Sequence, residues 1–322
     1  MLSIGGPALW TIFAVVVVTM LVVDLGIFHR KAHVVRFREA AIWSAVWIGL
    51  ALSFNVIVYF KFGSDRALEF FQAWLIEKAL SVDNIFVFLA IFSYFAVEPR
   101  LQHRVLFWGI LGALLTRGVF IWTGAALLRS FHWVMYLFGG FLILTAIRML
   151  MAKDEDIHPD RNPVIRLFKR FVPVSSEYHG THFFVRRDKR LVATPLFLVL
   201  VVVEATDVVF AVDSIPAVFA ITQDVFIVYT SNIFAVLGLR ALAFLVADLV
   251  RRLRYLKVGL SLVLAFIGAK MILDKHVHIS EWLSMGIVVS TLLGSAAISL
   301  LFVPRPAAPA PRQADPSPGS NA

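Results

Sequence analysis

The sequence predicts an all-α polytopic membrane protein of about nine transmembrane helices, with the N-terminus outside and the C-terminus inside. Of its 322 residues, 60% are hydrophobic and 16% are charged, and the mean hydropathy is +0.83. Soluble domains average about 45–50% apolar and about 25% charged residues. The apolar residues also form long blocks, with the charges in the short gaps between them. This pattern excludes a water-soluble globular protein.

Blocks of about 20 apolar residues predict the individual spans. The first block, residues 7–28, has no basic segment before it and is too long for the core of a signal peptide, so we expect a retained helix. We expect one transmembrane domain over residues 1–302 and a disordered, Pro-rich cytoplasmic tail over residues 303–322. The nine spans begin near Pro7, Ala40, Ala67, Val105, Phe131, Thr194, Asp224, Tyr255 and Glu281.

The basic residues predict the orientation. Twenty-one of the 30 Lys and Arg residues lie in the predicted cytoplasmic loops and four lie in the external loops. An excess of bases on the cytoplasmic side places the N-terminus outside. The net charge of +9 therefore reflects membrane orientation, and we expect no nucleic-acid partner. The other bases lie within spans and are Lys78, Arg117, Arg148, Arg240 and Lys270.

One long cytoplasmic loop is predicted, over residues 153–191. Within it, residues 164–171 have apolar side chains at helical spacing with bases between them. This spacing is typical of a short helix lying on the membrane surface, and it is equally consistent with an irregular loop.

The third and sixth spans contain a repeated acidic motif. Residues 81–85, Ser-Val-Asp-Asn-Ile, align with residues 211–215, Ala-Val-Asp-Ser-Ile. At the same offset of 130 residues, Glu77 aligns with Asp207. Each copy of the motif therefore has two acids, six positions apart, inside the bilayer.

The likeness continues through the spans that follow the acids. Arg117 in the fourth span aligns with Arg240 in the seventh when a gap is allowed for the longer preceding loop. Three spans is an odd number, so the two copies must cross the membrane in opposite directions. The sequence predicts an inverted-topology repeat, with repeat A at residues 67–152 and repeat B at residues 194–273, as in many secondary transporters.

The acids within the bilayer need positive partners, because an ionised Asp near the bilayer centre costs about 2.5 to 3.5 kcal/mol on insertion scales. A divalent cation, protons or the embedded bases are the available partners. Arg117 and Arg240 are the expected counter-charges, and they keep the acids ionised when no cation is bound. Salt bridges to these residues and Lys78, with no ion bound, are the structural alternative.

The sixth span contains a proline close to its second acid. Pro216 cannot donate a backbone hydrogen bond to Val212, so we expect the helix to break beside Asp213 and expose carbonyl oxygens. Carboxylates, the Asn84 amide, the Ser214 hydroxyl and such carbonyls form an all-oxygen ligand set that suits Mn²⁺, Mg²⁺ or Ca²⁺. The predicted metal ligands are Glu77, Asp83, Asn84, Asp207, Asp213 and Ser214, with Glu204 as a further ligand or a proton carrier.

These segments resemble the signature motifs of a known family. Residues 74–84 and 203–217 are similar to the two acidic motifs of the TerC/Alx family of integral membrane proteins, and residues 230–240 resemble the next motif. The likeness covers nearly the whole chain and is strongest to Alx. It implies a pH-responsive manganese exporter of the bacterial cytoplasmic membrane, related to the LysE transporter superfamily. The family's acidic positions fall on Glu77, Asp83, Asp207 and Asp213.

The favoured hypothesis is therefore a secondary transporter in the bilayer that exports divalent metal ions. Mn²⁺ is the favoured cargo, and coupling to protons is left open. The alternative is a membrane scaffold or sensor of metal, pH or tellurium stress without transport of its own. We expect no enzyme, because the motifs of intramembrane aspartyl proteases are missing. We also expect no prosthetic group. The chain has no cysteine, which excludes thiol chemistry. The oligomeric state is left open.

Overall fold

A computed structural model of the chain shows a predominantly helical molecule. It describes residues 3–26, 37–131, 133–151, 172–175, 177–187, 190–246, 255–273, 277 and 279–301. The predicted surface helix over residues 164–171 and the tail over residues 303–322 lie outside the described residues. The side chains of Asp24, Asp83 and Arg240 also lie outside the description, although their backbone is helical.

Ten helices and one β-hairpin are present within the described residues. In chain order they are α1 (Pro7–Gly26), α2 (Phe37–Phe62), α3 (Ser64–Tyr94), α4 (Pro99–Ser130), α5 (Val134–Met151), β1 (Phe184–Arg187), β2 (Arg190–Ala193), α6 (Pro195–Phe219), α7 (Val225–Leu237), α8 (Leu239–Val246), α9 (Leu256–Leu273) and α10 (Glu281–Leu301).

Six of the described helices are long and apolar enough to cross a membrane by length and composition: α2, α4, α5, α6, α9 and α10. The helix α3 has 31 residues, but Glu69, Glu77, Lys78 and Asp83 interrupt its apolar sequence. The apolar parts of α1 and α7 are shorter than a full span. Helices begin close to all nine predicted starts, and the count of nine spans stays a prediction.

The expected break beside Asp213 is not present, so this prediction was wrong. The helix α6 is continuous from Pro195 to Phe219 and includes Pro216. Pro216 removes one backbone N–H donor, but it lies in the last turn of α6, and only three helical residues follow it. The backbone N–H of Ala220 still donates to the Pro216 carbonyl at 3.0 Å. The helix therefore ends after the proline and not at the acid.

A helix break does occur at Gly238, between α7 and α8. The ammonium of Lys78 donates to the carbonyl of Ala235 at 3.2 Å, in the last turn of α7. A Cβ atom at Gly238 would lie 2.6 Å from the Lys78 nitrogen and 3.1 Å from the Trp47 Cβ. The last carbonyls of a helix lack intrahelical donors and favour a cation. The glycine thus leaves room for a lysine that satisfies the end of α7.

The helices of the two predicted repeats pack crosswise. The helix α4 packs along α6, and α3 packs along α7. The helices α5 and α9 pack along each other, and α3 also contacts α6. Around this centre, α2 contacts α3 and α8, and α10 packs on α9. The side chains that meet in the middle of the bundle therefore come from α3, α4, α6 and α7.

A cluster of aromatic rings fills one side of the bundle. Phe13 of α1 and Phe54 of α2 contact Phe226 and Phe234 of α7, with ring centroids 5.0–6.5 Å apart. Phe70 of α3 completes the group. Aromatic pairs at these separations contribute packing energy beyond the area that they bury. They hold α1 and α2 against the central helices.

The β-hairpin before α6 was not predicted from the sequence. Its two strands pair antiparallel, with Phe184 opposite Ala193. The Tyr178 hydroxyl donates to the Phe95 carbonyl after α3 at 2.7 Å, and burial raises the pKa of Tyr178, so it stays a neutral donor. Thr194 caps α6 and donates to the His182 carbonyl at 2.8 Å. This segment fastens the end of α3 to the start of α6.

The crossing of α5 and α9 generates a stability prediction. A Cβ atom at Gly268 would lie 2.7 Å from the carbonyl oxygen of Gly139, whereas nothing lies within 4 Å of the Cβ position at Gly140. We expect Gly268→Ala to destabilise the protein by about 1–3 kcal/mol through overpacking. Gly140→Ala is the matched control and leaves the stability equal or slightly higher. Thermal unfolding in detergent measures both, and equal midpoints would contradict the close crossing.

Candidate functional site

One buried guanidinium joins the two acids that the sequence alignment of the predicted repeats pairs. Arg117 of α4 forms an ion pair with Glu77 of α3 through Nη1. Its Nη2 and Nε donate to the two carboxylate oxygens of Asp207 of α6, at 3.1 and 3.4 Å. Nη1 also donates to Oδ1 of Asn232 of α7, at 3.2 Å. These four side chains from four helices are termed the Arg117 cluster.

The Arg117 cluster is enclosed at mid-depth in the bundle. Arg117, Glu77 and Asn232 are 0% exposed and Asp207 is 3% exposed. Glu77, Arg117 and Asp207 each lie about 12 to 13 residues, or about 18 to 20 Å, from the end where α3 begins and α4 and α6 end. This end also contains Arg66 and is termed the Arg66 end. The positive-inside count predicts that it faces outside.

The guanidinium does not satisfy every polar atom of the cluster. Glu77 Oε2 and Asn232 Nδ2 have no hydrogen-bond partner in the described part of the chain, and neither has the hydroxyl of Ser81, one turn from Glu77. Buried polar atoms are paired in the great majority of cases. The unpaired Glu77 Oε2 and Ser81 hydroxyl oxygen are suited to a cation or to water, whereas the amide N–H of Asn232 requires an acceptor such as water. Two of the unpaired atoms are thus oxygens, the donor type that hard cations prefer.

Asp213 and Ser214 lie at a different depth. They are about 9 Å along α6 from Asp207, toward the Arg66 end. The hydroxyl of Thr145 on α5 donates to Asp213 Oδ1 at 3.3 Å. Ser214 is buried, and its hydroxyl has no partner among the described residues. The structure therefore does not bring this pair of predicted ligands into the Arg117 cluster.

The other predicted ligands lie in the opposite direction. Asp83 follows Glu77 by about 9 Å along α3, away from the Arg66 end, and its side chain lies outside the description. Asn84 is buried beside it. The side chain of Arg240, the second predicted counter-charge, is also outside the description. Among the side chains that are described, no three His, Asp or Glu residues lie together as a metal site.

Glu204 lies between α4 and α6 and is half-buried. A Cβ atom at Gly112 of α4 would lie 2.0 Å from Glu204 Oε1, so the carboxylate occupies space that any side chain at this position would fill. Glu204 precedes Asp207 by about one helical turn, and the two lie on the same side of α6. The glycine thus admits an additional carboxylate next to the Arg117 cluster.

A polar cavity of about 590 Å³ opens at the Arg66 end. Beside it, Arg66 pairs with Glu69 at 2.7 Å, and the Thr222 hydroxyl donates to the same carboxylate at 2.6 Å. Phe219 is 2% exposed and forms the buried part of the wall. The lining residues are Arg66, Ala125, Leu128, Arg129, Phe219, Gln223 and Asp224.

Apolar layers separate the Arg117 cluster from both ends of the bundle. Between the cluster and the polar cavity lie packed side chains that include Ile121, Ile215 and Phe219. On the opposite side, Asp207 adjoins a cavity of only about 10 Å³, about the size of one water molecule, whose other lining is apolar and includes Phe88 and Leu106. The Arg117 cluster is therefore closed off from both ends of the bundle in this arrangement.

Several residues at the site were missed or only partly predicted from the sequence. Asn232 lies within the third motif of the family resemblance, residues 230–240, and it accepts a hydrogen bond from Arg117. Ser81 lies four positions after Glu77, so helical spacing alone could have placed both on one face. Thr145 and Gly112 carry no local signal, because their partners are distant in the chain.

Comparison with known proteins identifies the family. The sequence model of the "Integral membrane protein TerC family" matches residues 62–307. The chain belongs to the TerC family. The resemblance inferred from its acidic motifs is thus confirmed, and with its apolar helices the chain is a multi-pass integral membrane protein.

Similar proteins match over nearly the whole chain. "Uncharacterized membrane protein STKORF319" of Myxococcus xanthus is 49% identical over 303 residues, which cover 94% of this chain and 95% of that protein. "Putative membrane-bound redox modulator Alx" of Escherichia coli K12 is 44% identical over 300 residues, or 90% of this chain and 94% of that protein. No solved structure matches the chain.

The polar cavity generates an accessibility prediction. Gln223 lines the cavity and is exposed, whereas Ile121 is 0% exposed in the apolar layer beneath it. Because the chain has no cysteine, Gln223→Cys and Ile121→Cys can be labelled without background. We expect a membrane-impermeant maleimide added outside intact cells to label the first variant only. Labelling of Gln223→Cys only after the cells are opened would reverse the predicted orientation.

The Arg117 ion pairs generate a second stability prediction. Asp207→Asn removes one carboxylate from a buried guanidinium, and we expect it to destabilise the protein by about 3–5 kcal/mol. Asp213→Asn, on the same helix, changes an acid that accepts a hydrogen bond from the Thr145 hydroxyl and has no ion pair within 4 Å among the described residues, so its effect is smaller. Thermal unfolding of both variants in detergent measures the difference. Equal losses would show that the buried ion pair does not hold the central helices together.

Proposed function

We propose that the chain is a secondary transporter that exports divalent metal ions, with Mn²⁺ as the preferred cargo, across the bacterial cytoplasmic membrane. The observation that carries this proposal is the Arg117 cluster. Two carboxylates from different helices are buried at mid-depth, and Glu77 Oε2 and the Ser81 hydroxyl, one turn away, have no partner among the described residues. Ionisable residues in membrane segments are costly and mark ion pathways.

The crosswise helix packing supports an inverted-topology repeat, formed by α3–α5 and α6–α9. In this repeat α3 corresponds to α6, α4 to α7 and α5 to α9. If each helix is replaced by its counterpart, the contact of α4 with α6 becomes the contact of α7 with α3. The contacts of α5 with α9 and of α3 with α6 are each converted into themselves. A pseudo-two-fold axis in the membrane plane produces such a pattern, and transporters of this kind bind cargo between the repeats. The Arg117 cluster lies at this position.

The antiparallel directions of α3 and α6 distribute the acids along the membrane normal. Glu77 and Asp207 share the central depth. Because the helices run in opposite directions, the step of six residues places Asp83 about 9 Å to one side and Asp213 about 9 Å to the other. The acids thus occupy three successive depths. We propose that they pass the cation between the two sides of the membrane.

The cargo class follows from the donors. Carboxylate, amide and hydroxyl oxygens favour Mn²⁺, Mg²⁺ and Ca²⁺ over soft ions such as Cu⁺, and the preference for Mn²⁺ rests on the family resemblance. A relative from Escherichia coli is named a putative membrane-bound redox modulator. Since this chain has no cysteine, we propose that any redox effect comes from the transported metal and not from a thiol of the chain.

The two apolar layers supply the alternation that transport requires. The layer with Phe219 closes the cluster toward the polar cavity, and the layer with Phe88 closes it toward the other end. In alternating access, one repeat moves against the other, so one layer opens while the other stays closed. The occluded arrangement described above is an intermediate of this cycle.

Metal-ion flux in reconstituted vesicles tests the function. Purified protein should move Mn²⁺ down an imposed gradient, and Glu77→Gln and Asp207→Asn should each lower the flux by about tenfold or more, because each removes a cargo ligand. Glu98→Gln, at an exposed acid paired with Arg100, is the control and should retain the flux.

The same vesicles separate the alternatives. A membrane scaffold or sensor would give no flux above that of protein-free vesicles, and this outcome would overturn the transport proposal. Comparison of Mn²⁺ with Mg²⁺ and Ca²⁺ measures cargo preference. If transport is coupled to protons, a pH gradient imposed across the vesicle membrane should change the Mn²⁺ flux, and an unchanged flux would contradict coupling.

A further inference from the structure

We propose that Arg117 is a built-in substitute for the cargo. Its guanidinium compensates Glu77 and Asp207 while the carrier is empty, the metal ion displaces it from them on binding, and its return lets the empty carrier change sides. The inference rests on the proposed transport function and adds to it the step that resets the carrier.

The contacts of Arg117 span both repeats. The guanidinium reaches Glu77 in repeat A and Asp207 and Asn232 in repeat B, through three of its nitrogen atoms. It is 0% exposed, and arginine keeps its charge in proteins. A permanent positive charge is thus held between the two repeats, at the position that the proposal assigns to the cargo.

The guanidinium and a metal ion need the same oxygen atoms. Arg117 engages Oε1 of Glu77 and both carboxylate oxygens of Asp207, which leaves only Oε2 of Glu77 unpaired among the four. A divalent cation with oxygen ligands takes about six or more of them. It also has enough charge to compensate both carboxylates by itself. Binding of the cargo and binding of the guanidinium are therefore alternatives.

Two other embedded bases have partners elsewhere. Lys78 donates to the Ala235 carbonyl at the end of α7. Lys270 of α9 forms an ion pair with Glu281 of α10, at 2.9 Å. Of the embedded bases whose side chains are described, Arg117 is the one that bridges acids of both repeats. Its position is thus specific to the central carboxylates and is not a general feature of basic residues in these helices.

The consequence is a difference between exchange and net transport. Without Arg117, an empty carrier has two uncompensated carboxylates in a low-dielectric interior, and this state is too costly to pass between the two orientations. A carrier with a metal ion bound is still compensated. Loss of Arg117 should therefore stop the return of the empty carrier and leave metal-for-metal exchange intact.

The test compares wild type, Arg117→Gln and Arg117→Lys in vesicles. Net transport is measured with Mn²⁺ on one side only, and exchange is measured with radioactive Mn²⁺ against unlabelled Mn²⁺ on the other side. Mn²⁺ affinity is measured by calorimetry in detergent. We expect Arg117→Gln to bind Mn²⁺ about tenfold more tightly, because an internal competitor is removed. It should also retain exchange and lose net transport.

Arg117→Lys keeps the result decisive if the glutamine variant does not fold. Lysine supplies one point charge and cannot pair with two carboxylates as a planar guanidinium does. We therefore expect the lysine side chain to compete with Mn²⁺ for the carboxylates more weakly than the arginine does. The variant should bind Mn²⁺ more tightly than wild type and show a lower ratio of net transport to exchange. Arg100→Gln, at an exposed arginine of the same helix, is the matched control and should leave affinity and both fluxes unchanged.

Three results would overturn the inference. If wild type transports Mn²⁺ and the folded Arg117 variants keep its affinity and its ratio of net transport to exchange, the inference fails while the transport function stands. Loss of exchange together with net transport in folded Arg117→Lys would make the residue structural, and again only the inference fails. If wild type neither binds nor moves a divalent metal ion, the proposed function and the inference fail together.

Discussion

The sharing of one guanidinium by two buried carboxylates is the interaction on which the centre of this protein depends. Each charge costs several kcal/mol to bury alone, and a bidentate pair with additional hydrogen bonds offsets this cost only when the geometry is good. Glu77, Arg117, Asp207 and Asn232 come from four different helices. Four helices must therefore lie in one arrangement, and this requirement determines how α3, α4, α6 and α7 pack.

Glycines allow the polar groups to enter this tightly packed bundle. At Gly112 a side chain would occupy the place of the Glu204 carboxylate, and at Gly238 it would collide with the Lys78 ammonium. In both cases a charged group on one helix lies against bare backbone on another. A charge can be buried in this way without loss of close packing, because the neighbouring helix need not move away and leave a cavity.

The position of the charges would allow the same arrangement to serve both stability and the proposed transport. The Arg117 cluster lies deep in the bundle, and apolar layers separate it from both ends. Charges so enclosed are strongly coupled to any cation that reaches them, since little water screens them. Glu77 and Asp207 lie in the two acidic motifs that indicated the TerC family. Membership of this family is therefore consistent with a function of these acids.

The sequence by itself determined the helical membrane class, the family and the repeated acids, because apolar block length and residue spacing are local properties of the chain. It also identified Arg117 as a counter-charge. Only the tertiary structure decided that Glu77 and Asp207 share it, that Asp213 contacts Thr145 instead, and that the helix breaks at Gly238 and not near Pro216. Such pairings depend on which helices become neighbours, and the sequence does not state this for partners such as Arg117 and Asp207 or Thr145 and Asp213, which are 90 and 68 positions apart. The helix continues past Asp213 because Pro216 lies in its last turn.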